Sequence, residues 1–166
     1  MAVAYPIADT ALLLAQALLV ALQAAWLSFA AYSNLRWPRT NESYVVDVVT
    51  MELTKENPEV YEDHKHRALS DPKAIGRLFR AVALSEAVVA GVLWIAVGCL
   101  LLAAAGLLAV DLARTLALLA VLAFTAIWGT FLVGGQWFHY WVSEQSPQST
   151  HFFMLLWGIA TLVFLK

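Results

Sequence analysis

Apolar runs long enough to cross a lipid bilayer are the feature that most constrains this chain. The first covers about residues 9–33, and no charged residue lies between Asp9 and Arg36. Because an α-helix rises about 1.5 Å per residue, about 20 residues cross a hydrocarbon core about 30 Å thick. Apolar residues make up 61% of the chain and charged residues 13%, against about 45–50% and about 25% in soluble domains. The sequence therefore indicates an integral membrane protein.

Four such runs predict an all-α fold, a four-helix transmembrane bundle that forms a single domain over residues 1–166. The predicted spans cover about residues 9–33, 77–105, 112–140 and 148–165. Between the first two lies a polar insert, residues 34–76, which holds most of the charged residues. Four spans place both termini on one side of the membrane and the insert on the other.

The insert is predicted to be partly helical. Pro38 interrupts the first helix, and Asn41 is expected to cap a short helix that lies along the membrane surface or folds over the end of the bundle. Asp71 and Pro72 have the residue types of a helix cap and a first helical residue, so the second long helix is expected to begin there. A turn between the third and fourth spans is predicted at 143–147.

Charge patterning bears on orientation and partners. The basic residues near the span ends lie mainly on the insert side, which predicts that the insert faces the cytoplasm. The basic residues on the insert side are Arg36, Arg39, Arg67, Lys73, Arg77 and Arg80, whereas the other side has Arg114 and Lys166. A net charge of −2 and the lack of a basic run argue against nucleic-acid binding.

Polar and small residues recur at helical spacing inside the spans. Asp9, Gln16 and Gln23 follow one another at seven-residue intervals and share a face of the first helix. That face serves either for hydrogen bonds to other helices or for contact with a ligand. In the second span, the small residues Ala83, Ala87 and Gly91 predict a ridge for close helix packing.

Glu86 is the strongest candidate for intramembrane chemistry, because an ionisable group inside a span is by default a hypothesis for a functional site. Its partner is expected to come from another helix, with Gln16 and Gln23 as candidates, or the carboxyl group is protonated. Such a group can relay protons or bind a cation or a quinone carbonyl. The alternative is a structural acid paired with an amide.

Histidine and aromatic residues around the last turn suggest two cofactors. His139 and His151 flank that turn, and two histidines on facing helices are the minimum for haem ligation in a bundle. Gln136, Trp137 and the neighbouring aromatic rings could instead hold a quinone, or form an interfacial aromatic belt with no ligand.

A metal site and a catalytic site are not expected. His64 and His66, with Glu62 and Asp63, could bind a metal, but a solvated charged loop is far commoner. The single cysteine, Cys99, lies in an apolar run and can form neither an intrachain disulfide nor a cysteine zinc site. The chain has no phosphate-binding glycine loop, nucleophile elbow or metalloprotease spacing. We therefore assign no catalytic residue.

Three stretches resemble a known family. An asparagine-bearing segment leaves the first helix before a Met51-Glu52 pair, the second helix begins at a proline and carries Glu86, and residues 134–141 read Gly-Gly-Gln-Trp-Phe-His-Tyr-Trp. Together they resemble a bacterial family of predicted small integral membrane proteins, catalogued as domain of unknown function 2165. Gln136 stands where that family suggests Glu, and Glu52 where it suggests Asp. The resemblance implies a fold and a bacterial cytoplasmic membrane, but no activity.

The function expected from these observations is non-catalytic. The chain is expected to be an accessory or scaffold subunit that packs against other membrane subunits or against itself within the bilayer. Two alternatives stay open. One is a haem- or quinone-linked anchor of a redox complex, and the other is a small oligomeric transporter or proton-linked module that uses Glu86.

Overall fold

A computed structural model of the chain describes residues 7–142 and 145–166, except for the side chains of residues 145 and 146. The described residues form six α-helices, and the all-α class is confirmed. The helices are α1 (Ile7–Arg36), α2 (Arg39–Val49), α3 (Pro58–His64), α4 (Pro72–Ala104), α5 (Val110–Trp137) and α6 (Gln145–Phe164). Short 3-10 turns occur at Leu53–Glu56, Lys65–Arg67 and Tyr140–Val142.

Three helices, α1, α4 and α5, are long and apolar enough to cross a membrane. Helix α6 has 20 residues, and its polar first turns shorten the apolar part. The described residues thus contain three helices of this length and apolarity, where the sequence predicts four spans. The turn predicted at 143–147 falls partly on residues 143 and 144, which lie outside the described residues.

The long helices pack in alternating directions. Ser28 and Asn34 of α1 bond to Trp94 and Glu86 of α4, in reversed order along the chain, so α4 runs opposite to α1. Gln16 and Gln23 of α1 bond to Phe164 and Thr161 of α6, so α6 also runs opposite to α1. Alanine and leucine residues three or four positions apart fill the core. On α1 the apolar core residues are Leu13, Ala17, Val20, Ala24, Leu27 and Ala31. The small alanine side chains let neighbouring backbones approach closely.

The prediction that Ala83, Ala87 and Gly91 form one ridge for close helix packing is wrong for the packing within this chain. Ala83 is buried, but Gly91 is exposed and an added Cβ there would meet nothing within 4 Å. The buried face continues instead through Glu86, Ala90 and Leu93. A row of residues four apart drifts about 40° round an α-helix at each step, because the helix has about 3.6 residues per turn.

The insert folds over the end of the long helices. Its two halves are joined by a hydrogen bond from Leu69 N to Val49 O at 2.8 Å. Between them, Met51 is fully buried and has a φ of 56°. Glu52 N donates to Asp47 O, which is the closing hydrogen bond of a Schellman motif at the end of α2. This terminus turns the chain back towards α4.

Of the two helix starts predicted in the insert, at Asn41 and at Asp71, the second is confirmed. Asp71 caps α4 by accepting a hydrogen bond from Lys73 N at 2.9 Å, with Pro72 as the first helical residue. Asn41 does not cap α2, because α2 begins at Arg39 after Pro38. Asn41 is instead a residue within α2, and its Nδ2 donates a hydrogen bond to Asn34 Oδ1.

Candidate functional site

The buried carboxyl group of Glu86 lies where α1, α2 and α4 meet. Glu86 is 4% exposed and Asn34, in the last turn of α1, is 6% exposed. Asn34 Nδ2 donates to Glu86 Oε2 at 2.7 Å, and Asn41 Nδ2 in α2 donates to Asn34 Oδ1. We call these three residues the Glu86 site. It connects a buried acid to an exposed amide at the insert surface.

The partner of Glu86 is not one of the two glutamines that the sequence suggested. Asn34 takes that place, because α4 runs opposite to α1 and brings Glu86 beside the end of α1 rather than its middle. Asn34 follows Gln23 by three helical turns and so extends the same polar face. This spacing is the signal in the sequence that could have identified Asn34. Asp9, at the other end of the proposed stripe, is exposed.

Gln16 and Gln23 instead join α1 to α6. Gln16 Nε2 donates to Phe164 O at 3.0 Å, and Arg114 Nε in α5 donates to Gln16 Oε1 at 3.2 Å. Gln23 Nε2 donates to Thr161 Oγ1 at 2.9 Å. Both glutamine side chains are fully buried. They therefore make the interhelical hydrogen bonds that one of the two sequence interpretations requires.

A second group of contacts holds the insert to the end of α5. Arg67 Nη1 donates to Trp137 O at 3.2 Å, and the guanidinium carbon lies 4.7 Å from the centroid of the Trp137 ring. The rings of His64 and His139 lie 4.0 Å apart between centroids. We call these four residues the insert latch. It fixes the second half of the insert against the end of α5, a contact that no pattern in the sequence indicated.

The electrostatics of the insert latch favour a neutral His139. Desolvation, together with the neighbouring His64 and Arg67, lowers the pKa of His139 below its ordinary value of 6.5. His139 also has a φ of 56°, a left-handed conformation that is uncommon outside glycine but that asparagine, aspartate and histidine adopt more often than other residues. The surrounding contacts hold this residue in place.

The structure places His139 and His151 in different ring clusters. His139 lies against His64 and Trp141. His151 packs against Trp128 and Phe131, and its Nδ1 lies 3.4 Å from the hydroxyl oxygen of Tyr140. Gln136 and Trp137, the residues suggested for a quinone, are both exposed.

The glycine pair before these aromatics has one specific packing role. The Tyr140 ring lies directly against Gly135, so that a Cβ added at Gly135 would overlap the ring. A Cβ added at Gly134 would meet nothing within 4 Å. Gly135 thus allows Tyr140 to fold back onto α5 and approach His151.

Metal-binding residues do not converge in the described part of the chain. No group of three or more His, Cys, Asp or Glu side chains lies close enough there to hold a metal ion. The His64 ring is tilted against the His139 ring in the insert latch, and its Nδ1 lies 2.9 Å from Val60 O.

The apolar helices, the paired buried polar groups and the docked insert define an integral membrane protein of the helical class. The chain belongs to a family described as "Predicted small integral membrane protein (DUF2165)", which matches residues 12–166. The family resemblance drawn from the sequence is confirmed. The comparison with curated proteins and the comparison with solved structures each gave no significant match.

The stretches that carry the family resemblance each form a specific feature of the fold. Asn34 and Glu86 pair with each other, Met51 forms the buried left-handed turn, and Gly135 receives the Tyr140 ring. The Asn34–Glu86 bond joins two helices, whereas Gly135 and Tyr140 belong to the same stretch, residues 134–141. The motifs therefore have a structural reason in this fold, whatever further role they have.

Proposed function

We propose that this protein is a non-catalytic accessory or scaffold subunit of a membrane complex, with four spans in a bacterial cytoplasmic membrane and the insert on the cytoplasmic side. The observation that carries the proposal is the pairing of the buried polar groups. Gln16, Gln23, Asn34 and Glu86 all hydrogen bond to neighbouring helices. Each of the four thus ties two helices together through at least one hydrogen bond, whereas the buried Gln23 Oε1 has no hydrogen-bond partner among the described residues.

The outward surface fits the same role. Every long helix presents large apolar side chains outwards, among them Phe29 at 73% exposure, Ile95 at 66%, Val133 at 74% and Phe153 at 70%. In a bilayer such faces contact lipid tails or the helices of a neighbouring subunit. Hydrophobicity does not drive association between helices there, so that shape and packing select the partner.

The experiment is purification of the tagged full-length chain from membranes in lipid nanodiscs, after mild crosslinking, with partners identified by mass spectrometry. We expect specific co-purifying membrane subunits, or a defined self-assembly measured by mass photometry. A tagged membrane protein of similar size and expression level controls for adventitious capture. A strictly monomeric protein with no enriched partner contradicts the proposal.

A proton-linked module is the second candidate, favoured by the connection from buried Glu86 through Asn34 to exposed Asn41. The test is proton flux into liposomes that contain the protein, followed with an enclosed pH-sensitive dye. The Glu86→Gln variant keeps the size of the side chain but removes the acid, so flux should disappear. Equal flux in the variant and the wild type would eliminate this candidate.

A haem- or quinone-linked anchor remains the alternative from the sequence. The separate ring clusters of His139 and His151 give no support to bis-histidine haem ligation, which needs both imidazoles on one haem iron. A Soret band in the same nanodisc sample would favour the haem-linked anchor over the scaffold role. Solvent extraction of that sample, followed by mass spectrometry, would detect a bound quinone.

A further inference from the structure

A groove with a volume of about 490 Å³ opens between α2 and the first turns of α4. Its lining residues are Glu42, Pro72, Lys73, Gly76, Arg77 and Arg80. We call it the basic groove. Its volume lies within the range of about 300–1,000 Å³ that is usual for ligand pockets.

Three cations dominate the basic groove. Lys73, Arg77 and Arg80 follow one another at four- and three-residue spacing, which places them on one face of α4. Within residues 7–142 and 145–166, the side chains of Lys73 and Arg80 make no hydrogen bond or ion pair. Arg77 Nη2 lies 4.0 Å from Asp71 Oδ2, a weak exposed contact. These cations are therefore available to an external anion.

The basic groove lies at the expected depth of the lipid headgroups. From Ala81 to Ala104 the only charged residue of α4 is Glu86. At about 1.5 Å per residue this part of the helix is about 36 Å long, enough to cross the about 30 Å hydrocarbon core. Arginine and lysine side chains at such a boundary extend towards the headgroup region.

We propose that the basic groove binds the phosphate group of an anionic phospholipid headgroup. The guanidinium groups of Arg77 and Arg80 suit phosphate oxygens through paired hydrogen bonds, and Lys73 adds a third positive charge. The carboxylate of Glu42, in the α2 wall of the groove, accepts a hydrogen bond from a headgroup hydroxyl. A glycerol headgroup provides this donor, whereas a choline headgroup does not. The inference goes beyond the scaffold role and does not depend on it.

The test is native mass spectrometry of the full-length protein with equimolar phosphatidylglycerol and phosphatidylcholine of identical acyl chains. Wild type is expected to retain phosphatidylglycerol preferentially, and added salt should weaken this preference. The Arg77→Gln/Arg80→Gln variant should bind phosphatidylglycerol about 25-fold more weakly, because each basic residue near an anionic surface contributes a factor of about five.

The matched control is Arg36→Gln/Arg39→Gln, which removes two positive charges at the same end of the helices but outside the basic groove. We expect it to change phosphatidylglycerol binding less than about twofold, since only nearby charges act strongly on the headgroup. An equal loss in both double variants would show attraction to the whole charged interface and would overturn the site.

A single substitution and a competition with inorganic phosphate complete the test. If the double variant does not fold, exposed Lys73→Gln replaces it, with an expected loss of about fivefold. No lipid preference in wild type, or a preference unaffected by salt, overturns the proposal without any variant. Excess inorganic phosphate should leave the lipid bound, and displacement by phosphate as effective as by phosphatidylglycerol would overturn the assignment to a lipid.

Discussion

The side-chain amide of Asn34 donates a hydrogen bond of 2.7 Å to the carboxyl group of Glu86 and thereby joins the last turn of α1 to α4. Both side chains are buried, so that neither has water as an alternative partner. The same amide accepts a hydrogen bond from Asn41, which ties α2 to this pair. The first helix of the insert, α2, is therefore anchored to both long helices that flank the insert, α1 and α4.

Asn34→Ala should destabilise the protein by about 1–3 kcal/mol, because it leaves a buried polar group without its partner. The measurement is thermal or denaturant unfolding in a defined detergent. Asn57→Ala is the control, since Asn57 is exposed and its side chain makes no capping hydrogen bond. Equal stability of the two variants would mean that the Asn34–Glu86 bond contributes nothing to the fold.

Gln23 and Thr161 should be energetically coupled across the α1–α6 contact. The bond from Gln23 Nε2 to Thr161 Oγ1 is buried and 2.9 Å long. A double-mutant cycle of Gln23→Leu and Thr161→Val should give a coupling free energy of about 0.6–1.7 kcal/mol, the range known for hydrogen bonds between membrane helices. Strict additivity of the two changes would argue against this contact.

Gly135→Ala should destabilise the protein by about 1–3 kcal/mol, because the new methyl group overlaps the Tyr140 ring and forces it to move. Gly134→Ala is the matched control in the same helix. A Cβ at residue 134 meets nothing within 4 Å, so alanine there should be neutral or stabilise by up to about 1 kcal/mol. The measurement is the unfolding midpoint of each variant under identical conditions. A lower midpoint for Gly134→Ala than for Gly135→Ala would contradict the packing of Tyr140 against Gly135.

Acidification should release the insert latch. The pKa of His139 is lowered while the insert is docked, so the undocked state binds a proton more readily. Docking is therefore stable above the ordinary histidine pKa of 6.5 and loses free energy as the pH falls below that value. Hydrogen exchange of the α3 amides, corrected for the intrinsic pH dependence of exchange, should rise in that range.

Paired histidine variants isolate the source of this pH response. His139→Asn removes the titrating ring, while asparagine tolerates the left-handed conformation at this position, and should flatten the response. His66→Asn removes an exposed histidine of the insert and should leave the response unchanged. The same profile in both variants would assign the titration to other groups.

The sequence supported the helical class and the boundaries of α4 because those depend on local properties. A run of apolar residues determines its own length, and Asp71 with Pro72 starts a helix wherever the pair occurs before an apolar run. Glu86 was identified as an unusual buried acid for the same reason. Its partner was not identified, because the choice among Gln16, Gln23 and Asn34 depends on how α1 and α4 are aligned along their lengths.

The sequence by itself determined that this chain is helical, belongs in a membrane and carries a long polar insert, since hydropathy and chain length are properties of each segment alone. Only the tertiary structure decided that Asn34 pairs with Glu86, that Asn41 bonds to Asn34 instead of capping α2, and that His64 and Arg67 lie on the end of α5. Such contacts join residues far apart in the chain, and their geometry follows from the directions and offsets of packed helices, which no single segment encodes.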